Sequence, residues 1–545
     1  MKRCPTCQRS YLDQTLKFCR EDGARLITDP LLPLEPQTEI FGRTDDDEEP
    51  ATEIFSSGTS GAASTSRSLT RPVQKRGPRR SKVIDSLAVL PMTNASDDPE
   101  IEYLSDGLTE SLINNLSSVH GLRVMARATV FRYKGREIDP QQIGRELDVR
   151  AVVTGRVLVR QERLIVKVEL VKVEDGSQLW GEHYKRRLED IFAIESEMAG
   201  EIAEKLRLKL NSKARKRLAK RSTENSEAYQ SLLKGRYFFS KQTAEGFQKA
   251  IEYFEQALTQ DPAYALAHAE LAKTYYTLLY FGYLRLDETQ PKIAAALSKA
   301  LSLDQNLAEA HLILAENKFH YDWDWQAAER EFRRALELNP GHAETHLVYA
   351  FYLADMERFE EAINEALRAQ ELDPLSLFTQ MGAGFIFSIA HRADEALEQG
   401  HKLLEMEPHF FGAHWLVGMA HFLKGMYEEA IAESLKAHAL GGGPIVLTFL
   451  GFLYGLTGRR SEALKVIEEL SEMRKQNYVP ASNFAMVYAG LGELDQSFEW
   501  LERAYRERNP TLTSLKVNTA LDPLRSDPRF TQMLSRVGLI SQQPD

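Results

Sequence analysis

The chain has 545 residues, 27% of them charged and 43% hydrophobic, with a formal net charge of −11. That length predicts several domains, and the acidic balance disfavours binding of nucleic acid through bulk positive charge. No run approaches the ~18 apolar residues of a membrane-spanning helix and no apolar stretch follows the N-terminus as in a secretory leader, so a cytoplasmic location is expected. All three cysteines fall in the first 19 residues, which points to metal chemistry in a reducing compartment rather than a disulfide framework.

Residues 1–28 place Cys4 and Cys7 in a Cys-Pro-x-Cys turn and Cys19 further on, with Asp22 where a fourth cysteine would stand. Such a turn aims two thiolates at one ion, and zinc also accepts carboxylate oxygen. A segment this small has no core of its own, so the metal would supply the fold. The segment resembles bacterial zinc ribbons of the CPxCG…FCxxDG kind, which implies Zn2+ on Cys4, Cys7, Cys19 and Asp22. The alternative is a degenerate ribbon that no longer holds metal well.

Residues 29–82 are rich in Pro, Ser, Thr, Gly and acid, a composition that cannot offset its chain entropy, so a disordered linker is expected. It is acidic first (TDDDEEP) and basic later (RPVQKRGPRRSK). Thr-Glu-Ile-Phe occurs twice, at Thr38–Phe41 and Thr52–Phe55. The repeated motif resembles phosphothreonine motifs read by forkhead-associated domains. Thr38 and Thr52 are therefore candidate phosphorylation sites, since a phosphate adds about −2 charge and a handle for arginine.

Residues 83–211 read as an α/β domain in the order β-α-β-α-β-β-β-α, with a mixed sheet. SLAVLPM is a buried strand. YLSDGLTESLINNLSSV is an amphipathic helix with Ser105 or Asp106 as its N-cap, and DPQQIGRELDV is a short helix. RAVVTGRVLV, RLIVKVELVKV and SQLWGEHYKR are strands turned at Gln161-Glu162 and Asp175-Gly176, and a helix from about Leu188 to Leu210 closes the unit. The words LAVLPMTNASDDPEIEYLSDGLTESL, LRVMARATVFRYKG, IGRELDVRAVVTGRV and GSQLWGEHYKRRLEDIFAIESEMA resemble the N-terminal domain of TolB as found in multidomain bacterial regulators. The resemblance implies an interaction role, beside effectors such as kinases, cyclases or winged-helix DNA binders. No Gly-rich phosphate loop, Val-Ala-Ile-Lys or Asp-Phe-Gly word is found, so no enzyme is expected. The basic segment 205–227 reads as a solvated helix, or as one docked on an acidic partner.

Residues 222–510 hold a repeat. Pro340, Pro374, Pro408, Pro444, Pro480 and Pro510 follow one another at 34, 34, 36, 36 and 30 residues. Alignment on ExAIxxxxxALxLxP gives two small-residue columns. One is Ala250, Ala328, Ala362, Ala396, Ala430, Ala463 and Ser497; the other is Ala272, Ala350, Gly384, Gly418, Gly451 and Ala485. Each unit is then two amphipathic helices crossing at the small residues, with proline closing the second. One hairpin cannot bury its apolar face, but a stack can. The pattern resembles the tetratricopeptide repeat, with eight repeats forming a superhelical solenoid. Glu316 departs from it, standing where a small residue is expected. The insertion YFGYLRLDETQP lengthens the second repeat; such insertions map to loops on one face and to binding edges, the alternative being that Tyr280, Phe281 and Tyr283 extend the core, and residues 511–545 read as a capping helix and tail.

In such arrays the first helix of each pair lines a groove. Carried over, those positions are Ile313, Asn317, Leu347, Phe351, Phe378, Met381, Phe385, Trp415, Met419, Phe422 and Phe452. Aromatic and Met side chains suit an interface core, and the Lys/Arg set that clamps an acidic C-terminus is missing. The expected ligand is a protein or peptide with an apolar or amphipathic segment, unless the array's own C-terminus or the α/β domain covers the stripe. His342, Glu344 and His346 make a weak metal pattern without a fixed third ligand. The expected function is a non-enzymatic scaffold in bacterial signalling or regulation. The alternative is a transcription-related regulator touching nucleic acid or polymerase through the ribbon and basic linker.

Overall fold

The computed structural model describes residues 84–206 and 222–540, apart from positions 97, 162 and 477, and three two-residue strands in the first 28 residues. The chain divides into two compact units, Met1–Pro78 and Arg79–Asp545. In the first, β1 (Lys2–Arg3) pairs antiparallel with both β2 (Ser10–Tyr11) and β3 (Ile27–Thr28). Cys4, Cys7, Cys19, Asp22, Thr38 and Thr52 lie outside the described residues.

The second unit opens with a mixed sheet in the order β6-β4-β7-β8-β9, with β5 added on β7. β4 (Ser86–Val89) is fully buried and runs parallel to β6 (Arg123–Val124) and β7 (Ala151–Arg160). β5 is Thr93–Asn94. β8 (Arg163–Lys172) and β9 (Gln178–Arg187) continue as antiparallel hairpins. Alternation sets the register: Leu164, Val166, Val168 and Leu170 of β8 are fully buried while Arg163 and Lys167 face out. The first turn carries Gln161 at φ 48°, and the second uses Gly176 at φ 71° behind an Asp175 side chain that accepts from Ser177 N.

Helix α1 (Glu102–Ser117) begins a turn before the expected cap. Ser105 and Asp106 are buried inside it: Ser105 Oγ donates to Glu102 O, and the Asp106 carboxylate takes Lys134 Nζ at 2.6 and 2.7 Å. Short helices α2 (Arg127–Val130) and α3 (Pro140–Glu146) follow, and α4 (Ile191–Lys205) closes this part.

Eight helical hairpins then stack among the described residues. They are α5 (Ser226–Phe239) with α6 (Ala244–Gln260), α7 (Ala265–Tyr280) with α8 (Leu286–Leu303), α9 (Ala308–Asn317) with α10 (Trp325–Leu338), and α11 (Ala343–Asp355) with α12 (Phe359–Leu372). The next four are α13 (Leu377–Ile389) with α14 (Ala393–Met406), α15 (Phe411–Leu423) with α16 (Tyr427–Ala439), α17 (Gly443–Leu456) with α18 (Arg460–Gln476), and α19 (Ala481–Gly490) with α20 (Leu494–Arg506). Every residue of the first small column is 0% exposed. At Gly384 a Cβ would stand 2.1 Å from Leu416 Cδ2, and at Gly451 2.6 Å from Val466 Cγ1. Overpacking such a crossing costs about 1–3 kcal/mol.

Three expectations are corrected. Pro444 does not close a helix but sits in the first turn of α17, where its missing N–H is free of cost. The insertion is not all loop: Leu286–Gln290 already belong to α8, and Gln290 Nε2 reaches Asn317 Oδ1 at 2.9 Å. Tyr280, Phe281 and Tyr283 do not extend the core; they are 44%, 59% and 57% exposed.

After α20 come two short 3-10 turns (Pro510–Ser514 and Thr519–Leu524) and α21 (Pro528–Val537). This segment caps the last hairpin with Phe530, Met533 and Val537 and also packs on Trp323, beyond the end of α9. Arg508 lies over the Trp323 ring at 4.2 Å, and Lys516 pairs with Glu357 after α11. The superhelix therefore brings its last hairpin against its third and fourth. No helix among the described residues is long and apolar enough to cross a membrane.

Candidate partner groove and the seam beside it

The first helices of the hairpins form one wall, and its two halves differ. The half built from α5, α7, α9 and α11 carries charge. Arg236 of α5 lies deep, its guanidinium bonded to Glu270 of α7 at 2.5 and 2.7 Å. Glu110 of α1 is 3.8 Å from Arg236 and 3.0 Å from Arg127, an off-line ion pair in the second case. Lys273 of α7 meets Glu344 of α11 at 2.9 Å. Arg236 and Glu270 are buried and need such partners, since an unpaired buried charge costs several kcal/mol; Glu344 is exposed.

The α/β part supplies many of them by docking on this half. Asn115 donates to Glu195 at 2.8 Å, and Tyr229 of α5 donates to the same carboxylate. Gly107 of α1 sits where a Cβ would strike Leu233, and Gly341 where it would lie 2.7 Å from Ser117 O. At the far side, Ala126 N donates to Leu372 O at 2.8 Å and Thr129 Oγ1 donates to Asp373 Oδ1 at 2.7 Å. Leu375 N donates back to Thr129 Oγ1, and Thr379 Oγ1 donates to Asp373 Oδ2. The seam thus runs from the first hairpin to the fifth and leaves a cavity of about 460 Å³, lined by Arg236, Glu270 and Lys273 and also by Phe239, Leu312 and Phe378.

Burial shifts the groups along this wall. It pushes Glu316 up to about 8, with Glu344 nearby adding to the rise and Lys273 pulling down. It pushes His342 down to about 4 and His320 down to about 3. Asp355, buried at the end of α11 beside Thr513 of the C-terminal segment, is pushed up to about 7.

The other half, α13 and α15, is aromatic. Phe378 is 66% exposed, and Met381, Phe385, Trp415 and Met419 are half-buried, as are Leu347 and Phe351 of α11. Phe385 meets Trp415 edge-on at 4.5 Å, and Phe378 meets Phe410 at 5.8 Å. The Trp415 indole N–H is buried with no acceptor among the described residues.

The sequence-derived residues divide accordingly. Ile313 and Asn317 are buried within the charged half. Phe452 is 2% exposed, not a groove residue: Leu450, Leu453 and Ala520 of the C-terminal segment enclose it, with Phe422 packed at the margin. His342 and His346 make no metal pair; His342 Nδ1 is spent on Thr345, and His346 bonds Glu365 and Pro340 O. His346 and His311 share that pattern, bonding a carbonyl six residues back and a glutamate on the next helix, which makes the column a turn brace. Among the described residues no group of three or more potential metal ligands occurs. Arg236, Glu270, Lys273 and Asp373 were not singled out from sequence. Their signal was charge on otherwise apolar faces, the same anomaly that Glu316 showed.

Residues 82–199 match the family described as HilA/YgeH-like transcriptional regulator, second domain, and residues 324–376 match the tetratricopeptide repeat. A protein of Rhizobium meliloti (strain 1021), provisionally named adenylate cyclase 3, is 39% identical over 187 residues, 34% of this chain. The chain spans about a third (32%) of that relative's length. Among solved structures, pilF of Pseudomonas aeruginosa is 22% identical, covering 39% of this chain and 92% of its own, at a TM-score of 0.31. YrrB, a tetratricopeptide protein with an unusual peptide-binding site, is 20% identical over 35% of this chain and 94% of its own, at 0.27.

Proposed function

We propose that this chain is a non-catalytic adaptor whose aromatic half-wall, α13 and α15, takes an apolar or amphipathic segment of a partner protein. The observation that carries this is Phe378, a large apolar side chain 66% exposed at the head of a row of half-buried Met and aromatic residues. Clustered apolar surface of this kind marks a partner site more often than scattered exposure does. The α/β part, similar to the TolB N-terminal domain, serves in this proposal as the block that fills the charged half and fixes the array's curvature. The test is capture by the full chain against its Phe378→Glu and Trp415→Glu variants. A partner held by the wild type and lost by both variants, with unchanged melting, supports the proposal. Equal capture removes it.

The match of residues 82–199 to a domain of a transcriptional regulator favours a regulatory setting and keeps a second proposal. In it, the ribbon and the basic linker touch nucleic acid or polymerase. β1–β3 bracket the positions of Cys4, Cys7 and Cys19 in sequence as a zinc ribbon requires, with Asp22 the fourth ligand, and the metal would act by holding that fold. A gel shift that weakens steeply with salt supports this role, and metal analysis returning no zinc removes the ribbon from it. Phosphorylation of Thr38 and Thr52, with a forkhead-associated partner, is a further element; a threonine kinase that leaves both sites unmodified argues against it. The cyclase name of the relative belongs to a protein of which this chain matches 32%, and no cyclase activity is proposed.

A further inference from the structure

Beyond the groove, the α/β part has a cleft of its own. β4 is its central parallel strand. The chain leaves β4 through α1 to β6 on one side and returns through α3 to β7 on the other. In open α/β sheets such a reversal leaves a crevice outside the carboxyl ends of the strands, and ligands bind there. A cavity of about 740 Å³ lies at this place, past the end of β4 and against β7 and β8. Its size falls in the usual range for small-molecule sites. Leu90, Met92 and Ile143 give it an apolar floor.

Its charges are unevenly satisfied. Four cations, Lys134, Arg136, Arg156 and Lys167, line it beside three carboxylates, Glu102, Glu137 and Glu169. Lys134 is held between Asp106 at 2.6 Å and Glu102 at 2.5 Å, and Lys167 by Glu169 at 2.8 Å. Arg136 and Arg156 have no ion pair or side-chain hydrogen bond among the described residues. Arg156 also stands directly opposite Lys167 in the β7–β8 register, and like charges facing each other across a ladder destabilise it. Two free guanidinium forks, one of them in a repulsive pair, beside a cavity at the switch point call for an anion with more than one charged group. Guanidinium pairs phosphate in a bidentate way.

We propose that this cleft binds a small phosphate-bearing polyanion, its phosphates lying between Arg136 and Arg156. The full chain is titrated calorimetrically at low salt with inorganic tripolyphosphate, ATP and citrate, beside an Arg136→Gln/Arg156→Gln variant and an Arg160→Gln/Arg163→Gln control on the exposed hairpin end. Tripolyphosphate and ATP are expected to bind competitively, and the cleft variant to weaken both by about tenfold or more, the loss of charge-assisted pairs. The control keeps full affinity, and the ligand-free cleft variant melts no lower than wild type. Binding of ATP without tripolyphosphate supports the site and narrows the ligand to a nucleotide. No binding of either, equal affinity in the cleft variant, equal loss in the control, or binding of citrate as tightly as tripolyphosphate overturns the proposal.

Discussion

The two halves of the first-helix wall share one backbone plan and one set of small-residue crossings, yet only the first is built around charge. The α/β part covers that half and takes Arg236 and Glu270 out of water, so they need their mutual pair and Glu110 of the α/β part, while Thr129 serves Asp373 at the far side. Phe378, Phe385 and Trp415 need no specific partner to fold, so the second half stays partly uncovered. In a repeat array, side-chain chemistry and not helix geometry separates a permanent internal interface from a surface kept for others.

The strongest way to break this contrast is Arg236→Met. It strands Glu270 at a buried seam, while Glu110 keeps Arg127, and removal of one partner from a buried pair costs about 3–5 kcal/mol. Denaturant unfolding is expected to show a loss of that order, with earlier proteolysis between the α/β part and the array. A loss below ~1 kcal/mol, the scale of an exposed pair, would show that the seam does not rest on this network.

Next is Asp373→Ala, which leaves the Thr129 and Thr379 hydroxyls without their acceptor. The expected cost is about 1–3 kcal/mol. Hydrogen exchange should quicken at residues 126–132 while α15 is unchanged; an even increase along the whole array would contradict the assignment.

A pH experiment sharpens the charged half further. Glu316 titrates near 8 in the fold against about 4.3 in an unfolded chain. A raised carboxyl is bound to its proton in the fold, so its cost is absent below the unfolded value and complete above the folded one. Glu316→Gln is therefore expected to gain thermal stability over wild type as pH rises from 5 to 8. An advantage that shrinks over that window would refute the buried-carboxyl description.

The helical hairpins and the element order of the α/β part were legible in the sequence, because both are periodic, while the order of strands within the sheet was not. Alanine and glycine recur at the crossings, and β8 alternates residue by residue. The seam was not legible. It rests on single charged residues scattered over four helices, with no spacing to reveal them, although Glu316 stood out as a misfit. Phe452 was misplaced for a related reason: the groove pattern is local, while Ala520, which helps cover it, lies 68 residues away on a segment that folds back. Asp106 before Gly107 looked like a helix cap, but Lys134 draws it into the interior. Tyr280, Phe281 and Tyr283 looked apolar enough to be core, yet they surround the turn at Gly282, φ 74°, on the surface.

The smallest stability effect is expected at the open half. Phe378→Glu should lower stability by about 1 kcal/mol or less, the worth of its edge-on pair with Phe410, while removing partner capture.

The central contrast is tested most directly by thiol labelling of two single variants of the full chain, Phe378→Cys and Ile313→Cys, read out by peptide mass so that Cys4, Cys7 and Cys19 do not interfere. Phe378 is 66% exposed and Ile313 2%. Labelling near the free-thiol rate at 378 and strong protection at 313 is the predicted result. Equal rates at the two positions, whether both fast or both slow, would contradict a wall that is filled in one half and open in the other.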